Sequence, residues 1–127
     1  YTFWLHFAEG SLMPPLVMTL ILGKSVERSP FFIRPIVKGL KRKIGALILD
    51  GNISKSLTLL ESSLKDRHWL TGDKLTGADI QLYFAVAAAR QRVGLSEEQH
   101  SNIINWLTRC ESQNSFKTAV AVGGTPF

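Results

Sequence analysis

Apolar residues return at every third or fourth position along most of this chain, the spacing of helices with one face turned inward. Tyr1, Phe3, Trp4, Leu5 and Phe7 already lie inside such a run, with neither Met nor a capping residue ahead of them. A helix start ordinarily shows Ser, Thr, Asp or Asn, so the opening reads as a cut through a longer protein. The run predicts a first helix to about Leu22, stopped by Gly23 and kinked at Pro14 and Pro15, which remove two backbone donors. A polar loop over 23–29 should follow. A second helix should begin between Pro30 and Pro35, because proline is tolerated in a first turn, and end at an Asp50-Gly51 turn. Asn52 is placed to cap a third, with Ile53, Leu57, Leu60 and Leu64 on one face.

The sharpest local signal is Thr76-Gly77-Ala78-Asp79. Thr76 can accept from the backbone N–H of Asp79 while the Asp79 carboxylate reaches back to the N–H of Thr76, a capping box that also suits the helix dipole. Leu75 and Ile80 are spaced as a hydrophobic staple. The helix that follows carries Leu82, Ala85, Val86, Ala89 and Val93, and Gly94-Leu95 fits a Schellman ending. Ser96 to Gln99 repeats the box ahead of Ile103, Ile104, Trp106, Leu107 and Cys110. A last short helix is expected from Ser115 to Gly123-Gly124. Nothing alternates in the manner of a strand, so the fold class is all-α, one domain over 1–127 with five or six helices.

Composition narrows the picture only a little. With 45% hydrophobic and 20% charged residues in 127, the chain is an ordinary globular one that can build a core. The longest uncharged apolar stretch, Leu12 to Leu22, is too short to span a bilayer, so no membrane partner is expected. The lone Cys110 excludes a disulfide framework and a cysteine metal cluster, and points to a reducing, cytoplasmic setting. Much of the net charge of +5 sits in Arg34, Lys38, Lys41, Arg42 and Lys43, read as a solvated helix face. No nucleic-acid motif accompanies it, so no nucleic acid is expected as partner.

Two segments carry a resemblance. Trp69-Leu70-Thr71-Gly72-Asp73-Lys74-Leu75-Thr76-Gly77-Ala78-Asp79-Ile80 resembles the capping-box and staple signature of the glutathione transferase C-terminal domain. Trp4-Leu5-His6-Phe7-Ala8-Glu9-Gly10-Ser11-Leu12-Met13-Pro14 is similar to the first C-domain helix of the fungal and bacterial transferases related to yeast glutathione transferase I. The resemblance implies a helical bundle that forms the electrophile-binding wall and much of a homodimer interface. It implies too that glutathione, the co-substrate, is held by an N-terminal thioredoxin-like domain that this chain does not show, and that no catalytic residue lies here. Three scattered histidines without paired carboxylates make no metal site. A non-catalytic interaction module of the same fold, as in elongation factor 1 gamma or stringent starvation proteins, is the alternative.

At roughly 100° per residue the first helix sorts into three stripes. Leu5, Ala8, Leu12, Leu16 and Thr19 fall toward the core. Trp4, Phe7, Ser11, Pro14 and Met18 form the stripe that the resemblance turns toward a partner subunit. His6, Gly10, Met13 and Val17 match positions lining the cleft for a hydrophobic small-molecule electrophile, with Ala88 on the opposite wall. Gly10 would leave room beside the glutathione sulfur. His6 could hydrogen-bond a substrate or be structural, and His68 and His100 are expected to be solvated. Cys110 on an apolar face reads as an inert core thiol. Asp79 reads as a cap, its role confined to folding.

Overall fold

The computed structural model describes residues 1–126, and five helices make up their regular structure. Helix α1 spans Thr2–Arg28, α2 covers 34–64, α3 Gly77–Arg92, α4 Glu97–Ser112 and α5 Asn114–Gly123. No strand occurs among the described residues, in keeping with the all-α expectation.

Two expected breaks are absent. Gly23 does not stop α1, and the Asp50-Gly51 turn and the Asn52 cap give way to one continuous α2. Both long helices are instead interrupted by a π turn, at Ala8–Leu12 and at Gly45–Leu49. In the first, the N–H of Met13 donates to the Ala8 carbonyl, five residues back. Pro14 and Pro15 have no N–H for the carbonyls four residues behind them, and their rings crowd those carbonyls. Widening the turn just before them keeps the helical ladder running through the proline pair. In the second, the N–H of Asp50 donates to the Gly45 carbonyl. By length and hydropathy α1 could span a membrane, yet Trp4, Phe7, Ala8, Leu12 and Leu16 commit one face of it to the interior.

The main core joins that face of α1 to Ile53, Leu57, Leu60 and Leu64 of α2, Leu82, Ala85, Val86 and Ala89 of α3, and Ile103, Trp106 and Leu107 of α4. Small alanines on α3 let the neighbouring backbones come close. No member of this core lies between Leu16 and Ile53. The second half of α1 and the first half of α2 therefore form an arm standing beside the bundle, and the opening α-helical stretch Arg34–Ile44 buries no residue.

Asp79 is the polar centre of the bundle and is fully buried. Its Oδ2 accepts from the N–H of Thr76 and from the Thr76 hydroxyl, both at 3.0 Å, within the expected capping box. Its Oδ1 accepts from the N–H of Leu70 and from Nε1 of Trp106, again at 3.0 Å. One carboxylate thus caps α3, holds the turn closed by the Trp69–Gly72 bridge and anchors the largest side chain of α4. Burying a carboxylate is costly unless its lone pairs are satisfied, and here four donors satisfy them.

The second capping box forms differently from expectation. Gln99 donates its N–H to Ser96 Oγ at 3.3 Å, but it is His100 Nδ1 that accepts from the N–H of Ser96 at 3.2 Å. His100 is half-buried rather than solvated, and its φ of −133° breaks the helix. The donors freed by that break, the N–H groups of Asn102 and Ile103, reach the Glu61 carboxylate at 3.0 and 2.9 Å. A residue of α2 therefore caps α4 from across the bundle. Gly94, at φ +84°, and Gly124, at φ +80°, end α3 and α5 as expected.

Candidate functional site

The expected cleft residues do not assemble into one pocket within this chain. His6, Gly10 and Val17 are exposed on the outer side of α1, while Met13 is half-buried and packs against the core. A Cβ added at Gly10 would meet nothing within 4 Å, so that side of α1 faces open space. Ala88, expected opposite them, is buried in the core and cannot line an open wall. α3 approaches α1 on its inner side, where the Gln81 amide donates to Glu9 at 3.2 Å.

The partner stripe also needs correction. Trp4 and Phe7 are buried in the domain's own core, their rings 5.4 Å apart and edge-on, so they are not available to a second subunit. Ser11, Pro14 and Met18 are exposed. The physical cause is the π turn, which inserts an extra residue into one helical turn and slips the wheel by most of a residue step. Leu12 and Leu16 then line up beneath Trp4 and Ala8, and Leu5 moves to the flank, half-buried.

A different concavity emerges between α3, α4 and α5, of 240 Å³, lined by Leu75, Ile80, Tyr83, Cys110, Phe116 and Ala119 among others. Leu75 and Ile80, expected as a staple, are both exposed and contribute to this cleft. Tyr83 meets Phe116 edge-on at 5.0 Å and donates its hydroxyl to Glu111 at 3.1 Å. Glu111 is also paired with Arg90 at 2.7 Å. Burial, then the neighbouring Glu111 carboxylate, pushes the Tyr83 phenol up to about 12. Burial, with Asp79 behind it, does the same to the Cys110 thiol, likewise to about 12. Neither group is ionised near neutrality, which agrees with the reading of Cys110 as an inert thiol. The spacing of Ile80 and Tyr83 on one face of α3 was the sequence signal for this cleft. Glu61 gave none, because its partners lie some forty residues away in the chain.

Among the described residues no group of His, Cys, Asp and Glu is placed to hold a metal ion. The bundle, the capping box beneath Trp106 and the outward stripe of α1 can be set against known proteins. The family model "Glutathione S-transferase, C-terminal domain" matches residues 15–114. This chain belongs to that family. Glutathione S-transferase 3 of Schizosaccharomyces pombe is 34% identical over 107 residues, covering 84% of this chain and 44% of the relative. Glutathione S-transferase 1 of Saccharomyces cerevisiae is 30% identical over 116 residues, covering 90% and 50%. The chain spans about half the length of the curated relatives it matches. The family's C-terminal domain is therefore what α1 to α5 build, and the likeness is to fungal transferases rather than to non-catalytic modules of the fold.

Proposed function

We propose that this chain is the helical part of a dimeric, cytoplasmic glutathione transferase that joins the thiol of glutathione to hydrophobic electrophiles in detoxification. Both relatives carry the transferase name, and the chain spans about half of each, which leaves room for a thioredoxin-like domain to bind glutathione and activate its sulfur. The role of this chain is then to supply the wall against which the electrophile lies. The observation that carries this is the outer face of α1. His6, Gly10 and Val17 stand exposed there, and the space in front of Gly10 is empty. A second domain laid over that face would convert it into an enclosed, largely apolar pocket. Ser11, Pro14 and Met18, exposed on the adjoining side, are the remaining candidates for contact with a partner subunit.

The enzyme assembled from both domains tests the wall. Gly10→Leu should lower kcat/KM for a bulky electrophile about tenfold or more relative to a small one, the scale on which a pocket discriminates by size. Glutathione affinity should change much less. An unchanged ratio of the two kcat/KM values in a normally folded dimer would place the electrophile elsewhere.

A further inference from the structure

The cleft between α3, α4 and α5 differs in chemistry from the larger concavities of the domain. Those measure 850 and 510 Å³ and are lined in part by ionisable side chains, Asp50 and Glu61 in one and Lys38, Lys41 and Arg42 in the other. Of the residues lining the 240 Å³ cleft, Asp79 alone is a carboxylate, and it is buried with both oxygens already spent on four donors. Cys110 and Tyr83 hold their protons to about pH 12 and so present neutral groups. Glu111, which accepts from Tyr83, is paired with Arg90 at 2.7 Å.

The walls are aromatic and aliphatic. Tyr83 and Phe116 meet edge-on at 5.0 Å, with Leu75, Ile80 and Ala119 beside them. The Cys110 sulfur adds a soft, polarisable surface that suits an aromatic ring. At the edge the exposed Ser115 hydroxyl can accept from a ring N–H. α5 supplies Phe116 and Ala119, yet it buries no residue of its own and follows the extended backbone of Gln113, at ψ 138°. A helix held so lightly can shift to admit a ligand and then gain contacts from it. An apolar cavity of about 150 Å³ takes benzene, so 240 Å³ suits one or two fused rings, roughly ten heavy atoms.

We propose that this cleft binds small uncharged aromatic molecules of one or two fused rings, with α5 as the wall that closes over them. No lining residue lies on α1, so the proposal does not rest on the electrophile wall. An anionic ligand would bury its charge against a lining without a cation, and an ammonium would meet only a carboxylate already satisfied. The ligand that fits is neutral.

Indole, an uncharged two-ring probe with one N–H, tests this on the complete protein by NMR titration. Saturable binding with a Kd of about 1 mM or below is expected for a ligand of that size. Indole-3-acetate, the same rings bearing a carboxylate, should bind about tenfold more weakly or worse. Ala119→Trp fills the cleft from an exposed position and should weaken indole about tenfold or more, in a protein that melts as the parent does. Phe116→Ala should also weaken it, by removing a wall, whereas Gly10→Leu on α1 should leave it unchanged. With indole at about ten times its Kd, amide exchange over α5 should slow about tenfold. Absence of saturable binding, as when a segment of the complete protein fills the cleft, would overturn the proposal. So would equal affinity for indole-3-acetate, indole binding untouched by Ala119→Trp or lost in Gly10→Leu, or unaltered exchange over α5.

Discussion

The bundle and the arm are built from the same two long helices, yet they bury their residues in opposite ways. In the bundle, α1 up to Leu16 and α2 from Ile53 onward present apolar rows to α3 and α4, and Leu12, Leu60, Leu82 and Trp106 are fully enclosed. In the arm, the same helices pack mainly against each other, with Arg92 at the end of α3 alongside. Val26 and Leu49 are its buried apolar side chains, while Phe31, Phe32, Ile36, Leu40 and Leu47 face outward. Helical periodicity is present in both, so periodicity does not tell how much of a helix is stabilised by packing. The number of neighbouring elements decides that, and residue for residue the bundle should hold most of the stability.

Asp79→Ala should produce the largest effect in the bundle. It leaves the N–H of Leu70 and Nε1 of Trp106 buried without an acceptor and removes the α3 cap. Two such orphans plus a lost cap amount to about 4 kcal/mol. An urea titration showing a loss near 1 kcal/mol would reduce Asp79 to a surface-type cap and undo its place as the polar centre. Leu12→Ala, also in the bundle, should cost about 3 kcal/mol through the cavity it leaves.

A smaller effect separates the regions by pH. Cys110 and Tyr83 both titrate in the folded state at about 12, above their ordinary values of 9.0 and 10.0. The folded form therefore holds protons that the unfolded form releases as the pH rises through that interval. The sign follows from linkage: this stability is fully present below about pH 9 and is lost progressively toward pH 12. Thermal melts across that range should show the decline, and Cys110→Ala should make it shallower. A melt as steep in the variant as in the parent would remove the thiol from the account. Smallest of all, Leu40→Ala in the arm should stay within about 0.5 kcal/mol, the scale of ordinary surface changes. If it costs as much as Leu12→Ala, the arm is part of the core and the contrast between the two regions fails.

What could be read in advance follows the reach of the forces involved. The Thr76–Asp79 box was legible because its atoms are three residues apart. Gly94 and Gly124 were legible because an αL ending favours glycine whatever surrounds it. Gly23 and Asp50-Gly51 misled for the converse reason. A glycine inside a helix costs only about 1 kcal/mol relative to alanine, an amount that packing between the long helices offsets. At Gly23 the Lys41 ammonium lies 3.8 Å from where a Cβ would stand, an ordinary contact, so the two helices run side by side here. The stripes of α1 were misassigned because a uniform wheel cannot register a π turn. Trp4 and Phe7 accordingly moved from an expected subunit contact into the core. Ala88 lies on α3, away from that turn, and was placed by resemblance alone; it is buried in the core.

The sequence by itself determined the helical class, the caps and stops held by bonds within a few residues, the inert character of Cys110 and the likeness to a transferase domain. Each rests on residues adjacent in the chain or on one side chain's intrinsic chemistry. The tertiary structure decided which face of α1 is inside and where Glu61 and His100 act. It also decided that Asp79 ties three elements together and that the basic segment ends in an exposed apolar tip. Those outcomes depend on which distant residues come within a few ångströms of each other, and burial, unlike local spacing, is a property of the assembled neighbours.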